Sequence, residues 1–406
     1  MNFTTTDFIR NIPKTDLHVH LDGSLRLSSL IEMARQRGVK LPSETEEGLR
    51  ELVFKQRYNN LVEYLEGFSY TVAVLQDAEA LEQAAYELAL DNQDEGVRYL
   101  EVRFAPQLHV RKGLTMDNIL ISVNNGLARA QQEFNSRPQV TYGAEPPFYY
   151  GIIVCAMRMF GPAFSEYYAS LFNVHQYSSN NEVFELASYE LVRATVRIRD
   201  EQGLPIVGID LAGQEEGYPA ENHRRAYDYA QKHFLKKTVH AGEAYGPESI
   251  FQAITDLYAD RLGHGYHLFS PDLIQSQAIT NRQGYVDALA RYIADRRITI
   301  EVCLTSNLQT MPALTSTKEH AFNQMLKARL SVTLCTDNRL VSRTSVSNEI
   351  ELALRDFDLT PHLLKSIIIY GFKRSFFPGS YPEKRAYVRQ IINYYEKIQH
   401  AYGVND

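Results

Sequence analysis

The 406-residue chain is 44% hydrophobic and has a formal net charge of -7, so it can bury a large core and lacks the basic balance expected of a nucleic-acid or anionic-membrane binder. A small-molecule partner is expected instead. No apolar run reaches the length of a membrane span, and Met1 to Arg10 lacks the apolar core of a signal peptide, so the expectation is a soluble, cytoplasmic protein.

The stretch from Lys14 to Ser24, KTDLHVHLDGS, reads as a strand running into a turn. Side chains alternate faces along a strand, so His18 and His20 point one way and Leu17, Val19 and Leu21 the other. Two imidazoles on one face suit a metal ion, and they equally suit two hydrogen-bonded core histidines; the strand alone does not choose. Leu27 to Arg37 follows as a helix with apolar Leu27, Leu30, Ile31 and Ala34, closed by Gly38. Residues 44 to 95 read as several amphipathic helices, one with Leu61, Tyr64, Leu65 and Phe68 at the i, i+3, i+4, i+7 spacing of a single face. That stripe either packs into the core or roofs a pocket, where Leu61 and Leu65 would give a ligand apolar walls.

Strand-like runs then alternate with helical patterns: Val97 to Pro106, Tyr149 to Met157, Pro205 to Leu211, Thr238 to Glu243, Asp260 to Gly265, Ile298 to Leu304 and Leu330 to Asp337. Helical periodicity lies between most of them, as at Glu182 to Gln202, Pro219 to Phe234 and Pro247 to Tyr258. Eight strands alternating with helices indicate an α/β chain folded as a (β/α)₈ barrel. One domain is expected over residues 1–406, with a helical insertion at about 44–95 and a helical C-terminal extension at about 358–406. Cys155, Cys303 and Cys335 each lie in an apolar run and read as buried thiols.

Polar residues collect where strands give way to loops: His18, His20 and Asp22, then Asp210 and Gly213, His240 and Glu243, His264, Ser306 and Asn307, Asp337 and Asn338. In a barrel these loops open on one end, where active sites are built. His18, His20, His240 and Asp337 are the expected ligands of one divalent ion, Zn²⁺ suiting an N₃O set best, with Fe²⁺, Mn²⁺ and Co²⁺ as alternatives. Such an ion lowers the pKa of its water from 15.7 to about 7. Glu243 is then placed to hand a proton to a substrate, and His264 to hold the water. Taken singly, His264 also reads as a loop histidine and Glu243 as a solvated acid at a helix start. The remaining histidines, His320 and His267 among them, read as surface or structural groups.

The blocks PKTDLHVHLDGSL, VGIDLAGQE, HAGE, RLGHG and CTDN, in this order and at these separations, closely resemble the adenosine deaminase family of the amidohydrolase superfamily. The likeness runs from about Pro13 to about Asn348, with EGVRYLEVRFAPQ in support. It implies a zinc-dependent barrel that converts adenosine and water to inosine and ammonia. His18, His20, His240 and Asp337 match the family's zinc ligands, Glu243 the acid that protonates purine N1, and His264 the residue that orients the attacking hydroxide. Asp22 matches the carboxylate that accepts a ribose hydroxyl, and Gly213 the backbone donor to the purine. Many members carry a second Asp where Asn338 stands; an amide can give purine N7 a hydrogen bond without being held protonated.

The implied partner is a purine nucleoside. Adenine deaminases tend to have Glu in place of Asp22, and a nucleotide deaminase would need a cationic phosphate clamp, for which Arg26, Arg103, Arg339 and Arg343 are candidates. An N6-modified adenine nucleoside, a different metal hydrolase and a non-catalytic nucleoside-binding relative are the other readings. The cytosine-type zinc deaminases are excluded, since three isolated cysteines cannot form their P-C-x-x-C site.

Overall fold

A computed structural model describes residues 3–404; Met1, Asn2 and the last two residues of the expected C-terminal extension lie outside the described part. Eight strands pair in parallel in chain order: β1 (Lys14–His20), β2 (Val97–Phe104), β3 (Tyr149–Met157), β4 (Ile206–Ala212), β5 (Lys236–Ala241), β6 (Arg261–His264), β7 (Thr299–Val302) and β8 (Ser331–Leu334). Helices between them cover the outside, giving the expected (β/α)₈ barrel. Its seam is closed by a bridge between Val19 and Asp337, where Asp337 N donates to His18 O at 2.8 Å and His20 N to Asp337 O at 2.7 Å.

The strands are buried on both faces, so they read as long apolar runs interrupted by single polar residues. Leu17 and Val19 of β1 face the helices, and Asp16, His18 and His20 take the inward face. The interior of this barrel is not filled by aliphatic layers. Below the mouth, Glu101 and Arg103 of β2, Asp210 of β4, Arg261 of β6 and Glu301 of β7 form a buried ion network. A charge enclosed without a partner is costly, and here each carboxylate meets a guanidinium.

The structure ends several of the expected strands earlier, with the largest consequence for the site at β7 and β8. β7 ends at Val302 because a helix, Leu304–Thr310, begins almost at once, so Ser306 and Asn307 sit in a first helical turn and not in a loop. β8 ends at Leu334, and Asp337 lies beyond it with φ +60. The expected insertion is four helices, 46–52, 61–66, 68–74 and 78–94. The last of these packs on helix 116–135 as a regular member of the barrel wall. The stripe from Leu61 to Phe68 crosses the break between the second and third helices at Gly67.

The C-terminal part is two helices, 361–374 and 381–401, and in the turn between them Phe376 stacks under the Arg261 guanidinium at 3.6 Å, plugging the lower end of the barrel. Cys155, Cys303 and Cys335 are free and buried. Among the described residues no helix is long and apolar enough to cross a membrane.

Candidate metal centre and active site

β1 delivers His18 and His20 to the mouth on one face, two residues apart, and their ring centroids lie 5.4 Å from each other. β5 delivers His240. Asp337 comes from the turn after β8, held there by its hydrogen bonds to β1. His18 Nε2 lies 3.1 Å from His240 Nε2 and 3.3 Å from Asp337 Oδ1, and His20 Nε2 lies 3.2 Å from His240 Nε2 and 3.5 Å from Asp337 Oδ1. The structure thus brings all four sequence-selected ligands together.

The hydrogen bonds behind these groups show what the cluster fits. His18 Nδ1 meets Glu301 Oε2 at 2.8 Å, and His240 Nδ1 meets Asp210 Oδ2 at 2.9 Å. A carboxylate is an acceptor, so each Nδ1 carries a proton, and in the neutral ring that leaves the Nε2 lone pair turned inward. Two ring nitrogens 3.1 Å apart need a proton or a cation between them. The four donor separations of 3.1 to 3.5 Å are also those of nitrogen and oxygen atoms that lie about 2 Å from one shared ion, the spacing found around Zn²⁺. The residues therefore fit a divalent ion. Burial keeps His20 well below the usual imidazole value, hence neutral and able to offer a lone pair.

Arg103 connects the two outer carboxylates. Its Nη1 donates to Asp210 Oδ2 at 2.9 Å and its Nη2 to Glu301 Oε2 at 2.8 Å, so one fully buried guanidinium aligns the groups that orient His18 and His240. Burial alone would raise Asp210 and Glu301; the surrounding cations outweigh it and keep both well below the ordinary carboxylate range. Ser306 adds a 2.6 Å hydrogen bond to Asp337 Oδ2.

Glu243 lies in the turn after β5, 6% exposed, and burial together with the Asp337 charge pushes its carboxyl up to about 8. His264 ends β6, fully buried, its Nε2 3.6 Å from Glu243 Oε2. His264 has φ +64 and Asp337 φ +60, a conformation that costs a residue with a side chain of order 1–3 kcal/mol and so marks the mouth as locally strained. Gly263 is required beside them, since a Cβ there would lie 2.9 Å from His18 Cε1.

A cavity of about 340 Å³ leads to Glu243, lined among others by Leu61, Gln214, Glu216, Tyr266, His267 and Met311. Leu61 is in its wall. Leu65 is not; it packs on the core beside Leu61, so the two halves of the stripe divide between the readings. Gly213, φ +95, follows β4 and precedes the cavity residue Gln214. Asp22 is 4% exposed, its Oδ1 meets no partner among the described residues, and burial raises it to about 7. Asn338 donates to Tyr64 Oη at 2.7 Å, while its Oδ1 has no partner among the described residues.

The arginines considered for a phosphate clamp are engaged elsewhere. Arg26 pairs with Asp91 at 2.6 Å, Arg339 with Glu95, and Arg103 lies in the barrel interior; neither they nor the exposed Arg343 line the cavity. The sequence offers Arg103 only as a candidate phosphate clamp and does not single out Glu301, nor Glu215, whose carboxylate accepts from the backbone N–H groups of Gly242, Glu243, Ala244 and Tyr245 at 2.7 to 3.1 Å and so shapes the turn that carries Glu243. The only trace of Glu215 was its place in the block VGIDLAGQE. His267 at the cavity and His320 behind His264 were set aside for lack of a strand end.

A family model described as Adenosine deaminase matches residues 13–394. The adenosine deaminase of Mycobacterium tuberculosis is 36% identical over 390 residues, covering 96% of this chain and 95% of that one. Adenosine deaminase 1 of Streptomyces coelicolor is 34% identical over 389 residues, covering 95% and 87%. Among solved structures, an Arabidopsis N6-mAMP deaminase superposes with a TM-score of 0.70 at 25% identity, covering 95% of this chain and 99% of that one. An amidohydrolase from Burkholderia ambifaria with bound Zn gives 0.75 at 18% identity, covering 99% and 95%, a likeness of fold.

Proposed function

Because the chain belongs to the adenosine deaminase family, matched over residues 13–394, we propose that it deaminates adenosine and 2′-deoxyadenosine by hydrolysis, with one Zn²⁺ held by His18, His20, His240 and Asp337. The observation that carries the reading is the meeting of those four donors with a buried, proton-holding Glu243 and the Nε2 of His264 at one barrel mouth. Bound there, Zn²⁺ supplies an acidified water as nucleophile at neutral pH.

The chain's own groups do the rest. Glu243, kept protonated by burial, gives its proton to purine N1, which makes C6 electrophilic. His264 Nε2, on the same side of the cavity, directs the attacking water at C6. The tetrahedral carbon then expels ammonia, and no covalent bond to the protein is needed. Asp22 accepts a ribose hydroxyl with its unpartnered Oδ1, since a buried acceptor without a partner gains most from one. The backbone N–H of Gly213 serves the ring, and Asn338 reaches N7 by exchanging its bond to Tyr64. Leu61 supplies an apolar wall.

The uncharged nucleoside is favoured over the nucleotide because the cavity wall holds the exposed Glu216 and, among the described residues, no Arg or Lys, so a phosphate there would meet a like charge and no cation. A substrate panel tests this. Zinc-loaded protein is expected to bleach the adenine absorbance and release ammonia with adenosine and 2′-deoxyadenosine, with kcat/KM for AMP at least about 100-fold lower. No turnover of either nucleoside rejects the function, and AMP turned over as well as adenosine rejects the substrate assignment.

A further inference from the structure

Geometry leaves His264 ambiguous: a ring nitrogen of His264 lies with the donor atoms of His18, His240 and Asp337 in a group all within 4.8 Å of one another, which qualifies it as a further ligand, yet its Nε2 also faces Glu243. Which part it plays depends on which nitrogen carries the proton, and that is decided by what touches the other one. The direction of the hydrogen bonds behind His264 can be read from a fixed end. The backbone N–H of Phe322 is only a donor, and it meets His320 Nδ1 at 2.9 Å. His320 Nδ1 is therefore an acceptor. Burial pushes this ring down to about 3, so it is neutral and carries its proton on Nε2.

That Nε2 lies 3.1 Å from Asn307 Oδ1, so Asn307 accepts with its oxygen and presents its NH₂ to His264 Nδ1 at 3.2 Å. His264 Nδ1 is an acceptor in turn, and the neutral ring carries its proton on Nε2. His264 and Asn307 are 0% exposed and His320 2%, so bulk water does not reverse the order. His264 Nε2 meets no hydrogen-bond partner among the described residues, which leaves an N–H aimed into the site. His18 and His240 are set the opposite way by carboxylates at Nδ1.

We propose that Asn307 and His320 are positioning residues that fix His264 as an Nε2–H donor, which bars it from the ligand set and dedicates it to the oxygen that attacks the purine. The last clause rests on the deaminase reading. The tautomer itself is read without substrate, so the two fail separately.

In the full-length, zinc-loaded protein with nitrogen-15 in its histidine rings, the His264 signals, identified by their loss in His264→Gln, are expected to show a protonated Nε2 and a bare Nδ1. Asn307→Asp puts an acceptor where the NH₂ stood. The proton is expected to move to Nδ1, with zinc content unchanged, kcat for adenosine at least about tenfold lower and KM within about twofold. His320→Gln keeps an N–H toward Asn307 and is expected to retain most of kcat; His320→Leu fills the space, donates nothing and loses it. A parent His264 protonated at Nδ1 overturns the proposal, as does an Asn307→Asp protein with the parent's tautomer and kcat. Should Asn307→Asp fail to fold, the two His320 variants carry the comparison, and equal kcat in them overturns it.

Discussion

Glu243→Gln is expected to bind its metal normally and to lose turnover of adenosine by about 10²–10⁴-fold, the usual contribution of a positioned general acid. Gln has the shape of Glu and keeps the acceptor oxygen. It has no transferable proton, so N1 stays unprotonated and C6 unactivated. Glu243 is not among the donors that crowd the candidate ion, so metal content separates a failed proton transfer from a failed site. The fold should be unharmed, because the turn is held through backbone N–H groups by Glu215 and not by the Glu243 side chain. Activity within tenfold of the parent at full metal content would move the acid elsewhere.

Arg103→Met is expected to act below the mouth. It removes the guanidinium that meets both Asp210 and Glu301 and leaves two enclosed carboxylates short of a partner, while Met keeps much of the volume. Breaking a buried ion pair from one side costs about 3–5 kcal/mol, which denaturant unfolding of the metal-free protein measures. The same carboxylates orient His18 and His240, so metal affinity is expected to fall by about 10–100-fold in competition with a chelator. A variant with parent stability and parent affinity would show that the network does not support the centre.

The site was legible where chemistry sits at the end of a strand. His18 and His20 announce themselves by period two, and His240, His264 and Asp337 each close an apolar run at a barrel's open end. The residues that orient them were not. Glu301 and Arg103 lie inside strands, and the groups they orient or pair with, His18 and Asp210, are 283 and 107 residues away in sequence. No local pattern distinguishes such a pair from a strand with one face in water.

Asn307 was noticed as polar near β7, but its direction comes from His320 and a backbone N–H of Phe322, which only folding brings together. The arginines misled for the converse reason. Closeness to a strand end says nothing of a partner such as Asp91 or Glu95, both supplied by the chain between β1 and β2. Strand ends were overrun at β7 and β8 because the apolar run continues past the last ladder bond, into a helix in one case and a left-handed turn in the other.

The proposed chemistry depends on one divalent ion gripped by His18, His20, His240 and Asp337. A crystal of the zinc-loaded protein, with diffraction recorded on either side of the zinc absorption edge, tests it directly. The expected result is a single anomalous peak at the barrel mouth, about 2.0–2.2 Å from the three Nε2 atoms and the Asp337 carboxylate, with His264 outside the coordination sphere. No peak there, or a peak bound by His264 in place of one of the four, would contradict it.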